Sequence, residues 1–588
     1  MRRKIIVGAL SVLLVFIGAF LTPLLRKYRV SVPEYRASGE LVHLPQGWNE
    51  QQWMRFHHTA QGTRLLPYRW FLALEQPCFS LFGCAPFVEK TYLARFGFLE
   101  SKQHPQLNPD GLPIGFARQQ DFYDPVANTT YPVVGLTCAA CHTGQLEYGK
   151  YAVRIEGGPA MIEVAEFQKA LGLALGFTQL VPGRYGRFEK RVLGPNATED
   201  QKKNLKQSFD RLLEVAKAEL KATGQAKIYV NPAGFARTDA LTRIGNQVFA
   251  VDMNNNDNFA VANAAVRYPQ IWDASWFNWV QYNSSIGDPL VRNIGEALGV
   301  RAAAKLYGPD AAKFENSVHV SNLKVLEDLL SGPEPYKGLS SPKWPSVFPA
   351  LDHVKVQRGA QLYKQHCQGC HLPPQDELQA DLRSEHPKYW ETGLQGRRFL
   401  RVTDVPLEHI GTDPHEAVDF VERTADTGDL KQGRVSATKG LDLVTNGIAE
   451  QFFLKMNFSP EQRAEWTGFR DPRIPDVRAD RIYKARPLNG IWAVAPYLHN
   501  GSVRNLYELL GPPEERAKEF WLGTKRFDPV KVGYDTAEIK GGYLYDIRRE
   551  GNSNKGHEFR NGERGKGVIG PALSEEDRWA LIEYLKSL

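Results

Sequence analysis

Two five-residue strings, "CAACH" at 138–142 and "CQGCH" at 367–371, limit this chain more than any other feature in it. Each sets two thiols and an imidazole around one small object, and together they use four of the six cysteines. A zinc site would want a second Cys/His pair at ligand spacing close by, and neither string has one. A redox dithiol needs no following histidine, yet both copies carry one. C-x-x-C-H is the attachment signature of c-type haem: the thiols become thioethers at the porphyrin edge, and the histidine coordinates the iron. The chain is therefore expected to hold two covalently bound haem c groups. Cys138, Cys141 and His142 hold one; Cys367, Cys370 and His371 hold the other.

With 588 residues the chain is too long for one hydrophobic core. The Pro/Gly/Ser-rich stretch "SGPEPYKGLSSPKWPSVFP", 331–349, reads as a boundary. It divides an N-terminal haem domain, 29–335, from a C-terminal cytochrome c domain, 350–588. Beyond it, "VQRGAQLYKQHCQGCH" runs as an amphipathic helix into the second motif, with Gly359 and Tyr363 on one face. The last residues, "LSEEDRWALIEYLKSL", form a closing helix with Ser574 and Asp577 as a cap and a stripe of Trp579, Ile582 and Leu585. The first motif follows turns and extended chain instead. A Lys/Glu-rich stretch, 187–222, reads as a solvated helical insertion. The expected fold is mainly α: two cytochrome c-like haem domains joined by long irregular connections, plus an N-terminal transmembrane helix.

That last element is the segment 1–28, where Arg2, Arg3 and Lys4 precede an apolar run from 5 to 25. Its length suits a signal anchor, with a cleaved signal peptide and secretion as the alternative. Covalent c-haem is attached outside the bacterial cytoplasm. The body of the chain is thus expected in the periplasm, anchored to the inner membrane. An oxidising compartment also favours a disulfide between Cys78 and Cys84 in "CFSLFGC". The net charge of +7 suits an acidic redox partner such as a small cytochrome, or an anionic membrane surface. No basic, aromatic-laced run points to nucleic acid.

Function turns on the sixth iron position: a strong protein ligand makes an electron-transfer haem, and a vacant position can bind O₂ or H₂O₂. For the second haem the expected ligand is His557, in a Gly/Asn-rich loop before the closing helix, with His499 beside the site as a hydrogen-bonding residue. For the first haem no partner suggests itself. The next histidine after His142 is His319, Met161 is a weak candidate, and His57 and His58 lack a recommending spacing. The first haem is read as open. Glu147, Glu156, Glu163 and Glu166 follow His142 and are candidate acid–base groups. The stretch "DMNNNDN" at 252–258 lacks the glycine and distal glutamate of a calcium loop.

These features resemble the bacterial di-haem cytochrome c peroxidase superfamily. "FYDP…GLTCAACH" is similar to its first haem segment, and "RGAQLYKQHCQGCH" and "ARPLNGIWAVAPYLHNGSVRNLYELL" to its second domain. A closer likeness is to the rubber oxygenase branch, in "QGTRLLPYRWFLALEQP", "NPDGLPIGF", "WVQYNSSIGDPLVRNIGEALGV" and "NSNKGHEF". That resemblance implies an N-terminal haem that binds dioxygen and cleaves C=C bonds of an apolar isoprenoid substrate, and a C-terminal bis-His haem for electron transfer. It also implies aromatics near the open haem and a tryptophan between the haems, for which Trp272, Trp276 and Trp279 are candidates. The expected function is a di-haem oxidoreductase activating O₂ or H₂O₂ at the first haem. The alternatives are a cytochrome c peroxidase proper and a non-enzymatic di-haem electron carrier.

Overall fold

The structure, a computed structural model, describes residues 29–228, 231–394, 396–467 and 474–588. The first motif is a single helical turn, Cys138–Cys141, clasped between two small sheets. Strand Thr129–Leu136 leads into it, paired antiparallel with Phe116–Asp124 on one side and Leu66–Pro67 on the other. Strand Thr143–Tyr148 leads out, antiparallel to Tyr151–Glu156, which in turn pairs in parallel with Glu40–His43. Gly115 makes the fit possible. Its φ is +90°, and a Cβ there would stand 2.3 Å from the Ala140 backbone, so only glycine lets this loop lie against the turn. The Gly115 carbonyl then accepts from the Thr137 N–H at 2.8 Å.

The second motif is held by helices. Helix His353–His366 is capped by Asp352, whose carboxylate accepts from the Val354 N–H at 3.1 Å. It crosses the C-terminal helix Glu575–Ser587 at Gly359, where a Cβ would fall 2.1 Å from the Ala580 carbonyl oxygen. Tyr363, one turn on, donates to the Leu372 carbonyl at 2.7 Å and so ties the helix to the end of the motif. Ser574 accepts from the Asp577 N–H at 3.1 Å, and Ile582 and Leu585 lie in the core with Trp579 at its margin.

The expectation of a mainly α fold is corrected: helix makes up 38% and strand 17%. The strands were hard to read because they are short, many of them two to four residues, and sit in sheets of two or three strands. Alternation needs several residues to register, and pairings such as Glu40–His43 with Tyr151–Glu156 join distant stretches of sequence. The expected inner-membrane anchor is likewise not supported: among the described residues no helix is long and apolar enough to cross a membrane. The apolar run 5–25 itself lies outside the described residues.

Two buried clusters form the core. One is rich in aromatics (Phe71, Phe87, Phe96, Phe116 and Phe167) and reaches Trp492 and Leu581. The other centres on Val248, Ile294, Val444 and Ile448. Full burial of one such side chain contributes about 2 kcal/mol. Both clusters draw on residues from either side of 331–349, and Phe348 within that stretch stacks on Phe527 at 5.4 Å. The Lys/Glu-rich region forms helices Arg184–Leu193 and Glu199–Gln225. The longer one exposes most of its surface but buries Leu205, Phe209 and Leu213 along one edge, with Phe209 against Trp70 and Phe188.

Candidate functional site

Both motif histidines are oriented alike. His142 Nδ1 donates to the Pro269 carbonyl at 2.8 Å, and His371 Nδ1 donates to the Arg486 carbonyl at 2.8 Å. The bond fixes each ring and leaves Nε2, with its lone pair, for a metal. Burial holds both rings neutral: it lowers the His371 pKa and brings His142 down to about 4. Burial also pushes the thiols of Cys138, Cys141 and Cys367 up to about 12.

Beyond the proximal ring the two places diverge. Opposite His371 stands His557, with ring centroids 6.1 Å apart. Two metal–imidazole bonds of about 2 Å each, plus two imidazole half-widths, come to roughly 6 Å, so one iron fits between the rings. His557 sits at φ +49°, its N–H donating to the Ile410 carbonyl and its own carbonyl accepting from Arg516 at 2.9 Å. Burial brings its pKa down to about 3, which keeps a nitrogen lone pair free. His499 stacks on Tyr483 at 4.1 Å, lies 6.2 Å from the Tyr282 ring, and its carbonyl accepts from the Arg267 N–H at 2.9 Å.

Beside Cys138 and His142 lies a cavity. Three segments wall it: 269–282, helix Pro289–Gly299, and the end of strand Ile482–Ala485 with Arg486. The helix is fixed by Asp288, which caps it by accepting from the Leu290 N–H at 2.8 Å, and by a proline in its first turn. Arg292 and Glu296, four residues apart, share its inward face. Arg292 is paired with Glu327, and Glu296 accepts from Gln281 Nε2 at 3.3 Å. Burial raises the Glu296 pKa and lowers that of Lys484, whose Nζ donates to the Trp279 carbonyl at 3.3 Å. Among the described residues, no histidine or methionine apart from His142 lines this cavity. A second, apolar pocket adjoins it, sharing Gln281 and Arg292 and lined by Leu241, Ile244, Ile286 and Val291 among others.

The other sequence candidates have structural partners. His57 pairs with Glu156 at 2.8 Å, and His58 uses both ring nitrogens, on the Phe116 carbonyl and on Ser101. His319 caps helix Val320–Ser331. Glu163 caps helix Val164–Leu180, and burial takes its pKa to about 7. None of Glu147, Glu156, Glu163, Glu166 or Met161 lines the cavity. Nor do the tryptophans: Trp272 donates to the Asn489 carbonyl, Trp276 to the Ser331 carbonyl, and the Arg478 guanidinium lies over Trp279 at 3.9 Å. Cys78 and Cys84 form a disulfide. Sequence reading missed Arg292, Glu296, Lys484 and Arg486. The available signal was a charged pair at i, i+4 within "GDPLVRNIGEALGV", a helix otherwise apolar enough to be buried.

Residues 482–522 match the RoxA-like, cytochrome c-like family. Over 610 aligned residues the chain is 40% identical to uncharacterized protein y4iJ of Sinorhizobium fredii (strain NBRC 101917 / NGR234), covering 98% of each. The chain belongs to the y4iJ family. It is also 26% identical over 337 residues to uncharacterized protein y4iM of the same strain, across 54% of this chain and 63% of that one. The RoxA-like, cytochrome c-like domain brings covalently bound haem c, and with it the chemistry of a haem oxidoreductase. The residues present fit such a group. The matched stretch contains Lys484 and Arg486, so it forms part of the first cavity and supplies the carbonyl that orients His371. Buried polar atoms without protein partners (Gln270 Nε2, Ser275 Oγ, Tyr282 OH and Arg486 Nε) belong to residues on the cavity wall.

Proposed function

We propose that this chain carries two c-type haems with divided labour: the His142 haem meets the oxidant, and the His371/His557 haem relays electrons. One observation carries the proposal. The histidine of the second motif faces another imidazole at 6.1 Å between ring centroids, whereas among the described residues the wall around the first offers no second histidine or methionine. The haem supplies redox chemistry at iron, with O₂ or H₂O₂ as oxidant. The protein orients the His142 Nε2 lone pair through Pro269 and sets beside it the Glu296 carboxyl, whose pKa burial raises. Trp272, buried in the same core as both motifs, serves as an aromatic relay between them.

The apolar pocket next to the cavity favours an oxygenase whose organic substrate is an apolar alkene of isoprenoid type. The Glu296 carboxyl on the cavity wall favours a second reading, a peroxidase drawing electrons from a small cytochrome. Spectra of the reduced protein with and without CO test the division: one haem of the two is expected to bind CO. Binding at neither would leave an electron carrier, and binding at both would remove the closed site. Aldehyde or ketone formed from an isoprenoid under O₂ supports the oxygenase. H₂O₂ consumed with reduced cytochrome supports the peroxidase.

A further inference from the structure

Arg486 touches the supports of both motif histidines. Its backbone carbonyl accepts from His371 Nδ1 at 2.8 Å. Its guanidinium Nη1 donates to the Gln270 carbonyl at 2.7 Å. Gln270 follows Pro269, whose carbonyl accepts from His142 Nδ1 at 2.8 Å. Three short hydrogen bonds, with covalent bonds otherwise, therefore join one motif imidazole to the other through a single side chain.

Each part of this path is held in place. Pro487 restricts Arg486 to extended backbone and so aims its carbonyl. The strand before it, Ile482–Ala485, is paired with Thr403–Pro406. The guanidinium is 9% exposed as part of its residue, lies over Phe277 at 5.0 Å, and leaves Nε without a protein partner. Asp273, which accepts from Asn489 at 2.6 Å, is the nearby counter-charge. A charged donor on a buried carbonyl makes a stronger bond than a neutral one. Outer partners of this kind set the basicity of a ligating imidazole.

We propose that Arg486 is the positioning residue that couples the two haem sites, so that each motif histidine responds to the redox state at the other. The coupling carries one electron from one iron to the other; Arg486 keeps its proton and no bond is made or broken. This rests on the two-haem reading above and adds to it a route.

The test uses the full-length holoprotein and the substitutions Arg486→Met, Arg486→Gln and Arg486→Lys. All retain the backbone carbonyl that holds His371. The readout is the rate of electron exchange between the sites after photolysis of CO from the half-reduced protein, together with the two midpoint potentials. In Arg486→Met the exchange rate is expected to fall about tenfold or more. The potential at the His142 site should also fall, because a nearby positive charge no longer disfavours the oxidised state. Arg486→Gln gives the same result should the Met variant fold poorly, and Arg486→Lys, which keeps charge and donor, restores most of the rate. Unchanged exchange and potentials in both neutral variants overturn the proposal, as does a rate lost in Trp272→Phe but kept in Arg486→Met. Failure of the two-haem reading is distinguishable, since it shows in the unsubstituted protein as one haem per chain or as CO binding at both sites.

Discussion

The two motif regions begin from the same five-residue pattern and diverge in everything placed around it. The first turn is gripped by strands and opens onto a cavity lined with arginines, a lysine and a glutamate. The second follows a long helix that crosses the C-terminal helix, and its His371 faces His557 across 6.1 Å. The proximal hydrogen bond is the same length at both, 2.8 Å to a carbonyl. What differs is therefore not how the motif holds its imidazole but what the fold delivers to the other side.

The comparison can be broken most directly at the attachment points. Replacing Cys138 and Cys141 by serine is expected to halve the covalent haem measured as the pyridine haemochromogen and to abolish activity, leaving the spectrum of the second site intact. If both haems disappear together, the sites do not assemble independently. Next in size, His557→Ala should open the closed site: its low-spin spectrum turns high-spin, and CO binding rises from one equivalent to two. An unchanged spectrum would move the ligand to another residue.

A smaller effect sharpens the first site. Glu296→Gln removes the cavity carboxyl and is expected to lower turnover by about 10²-fold, the low end for general acid–base catalysis. Burial raises the Glu296 pKa, so the carboxyl keeps its proton to higher pH than an exposed one. If the protonated form is the one used, native turnover falls as pH rises through that raised value, and the Gln variant loses this limb. An identical pH profile in both proteins removes Glu296 from the chemistry. Smallest of all, Val291→Phe narrows the apolar pocket. Steady-state assays should show a raised KM for long isoprenoids, by several-fold, with CO binding and H₂O₂ consumption unaltered. An unaltered KM would mean the substrate approaches by another path.

Legibility followed locality. Gly359, Tyr363 and the Ser574 cap could be read because a helix declares its face within two turns, and each does in the structure what its spacing suggests. His557 stood out as a candidate through its loop before a closing helix, though nothing local says that its ring ends 6.1 Å from that of His371. The strands around Cys138 were too short to announce themselves, which is why the mainly α expectation gave way. The glutamates that follow His142 in sequence turned out to cap helices or pair with other side chains. Glu296, far along the chain, reached the cavity because its helix buries a charged face.

The sequence alone determined the covalent chemistry: two thiols and a histidine within five residues converge wherever the chain goes, because their spacing is fixed by bonds. Only the tertiary structure decided what stands across from each imidazole, and that Arg486 reaches the supports of both. Those neighbours come from segments more than a hundred residues away, brought together by burial of apolar surface, which is blind to the identity of the polar groups it carries along.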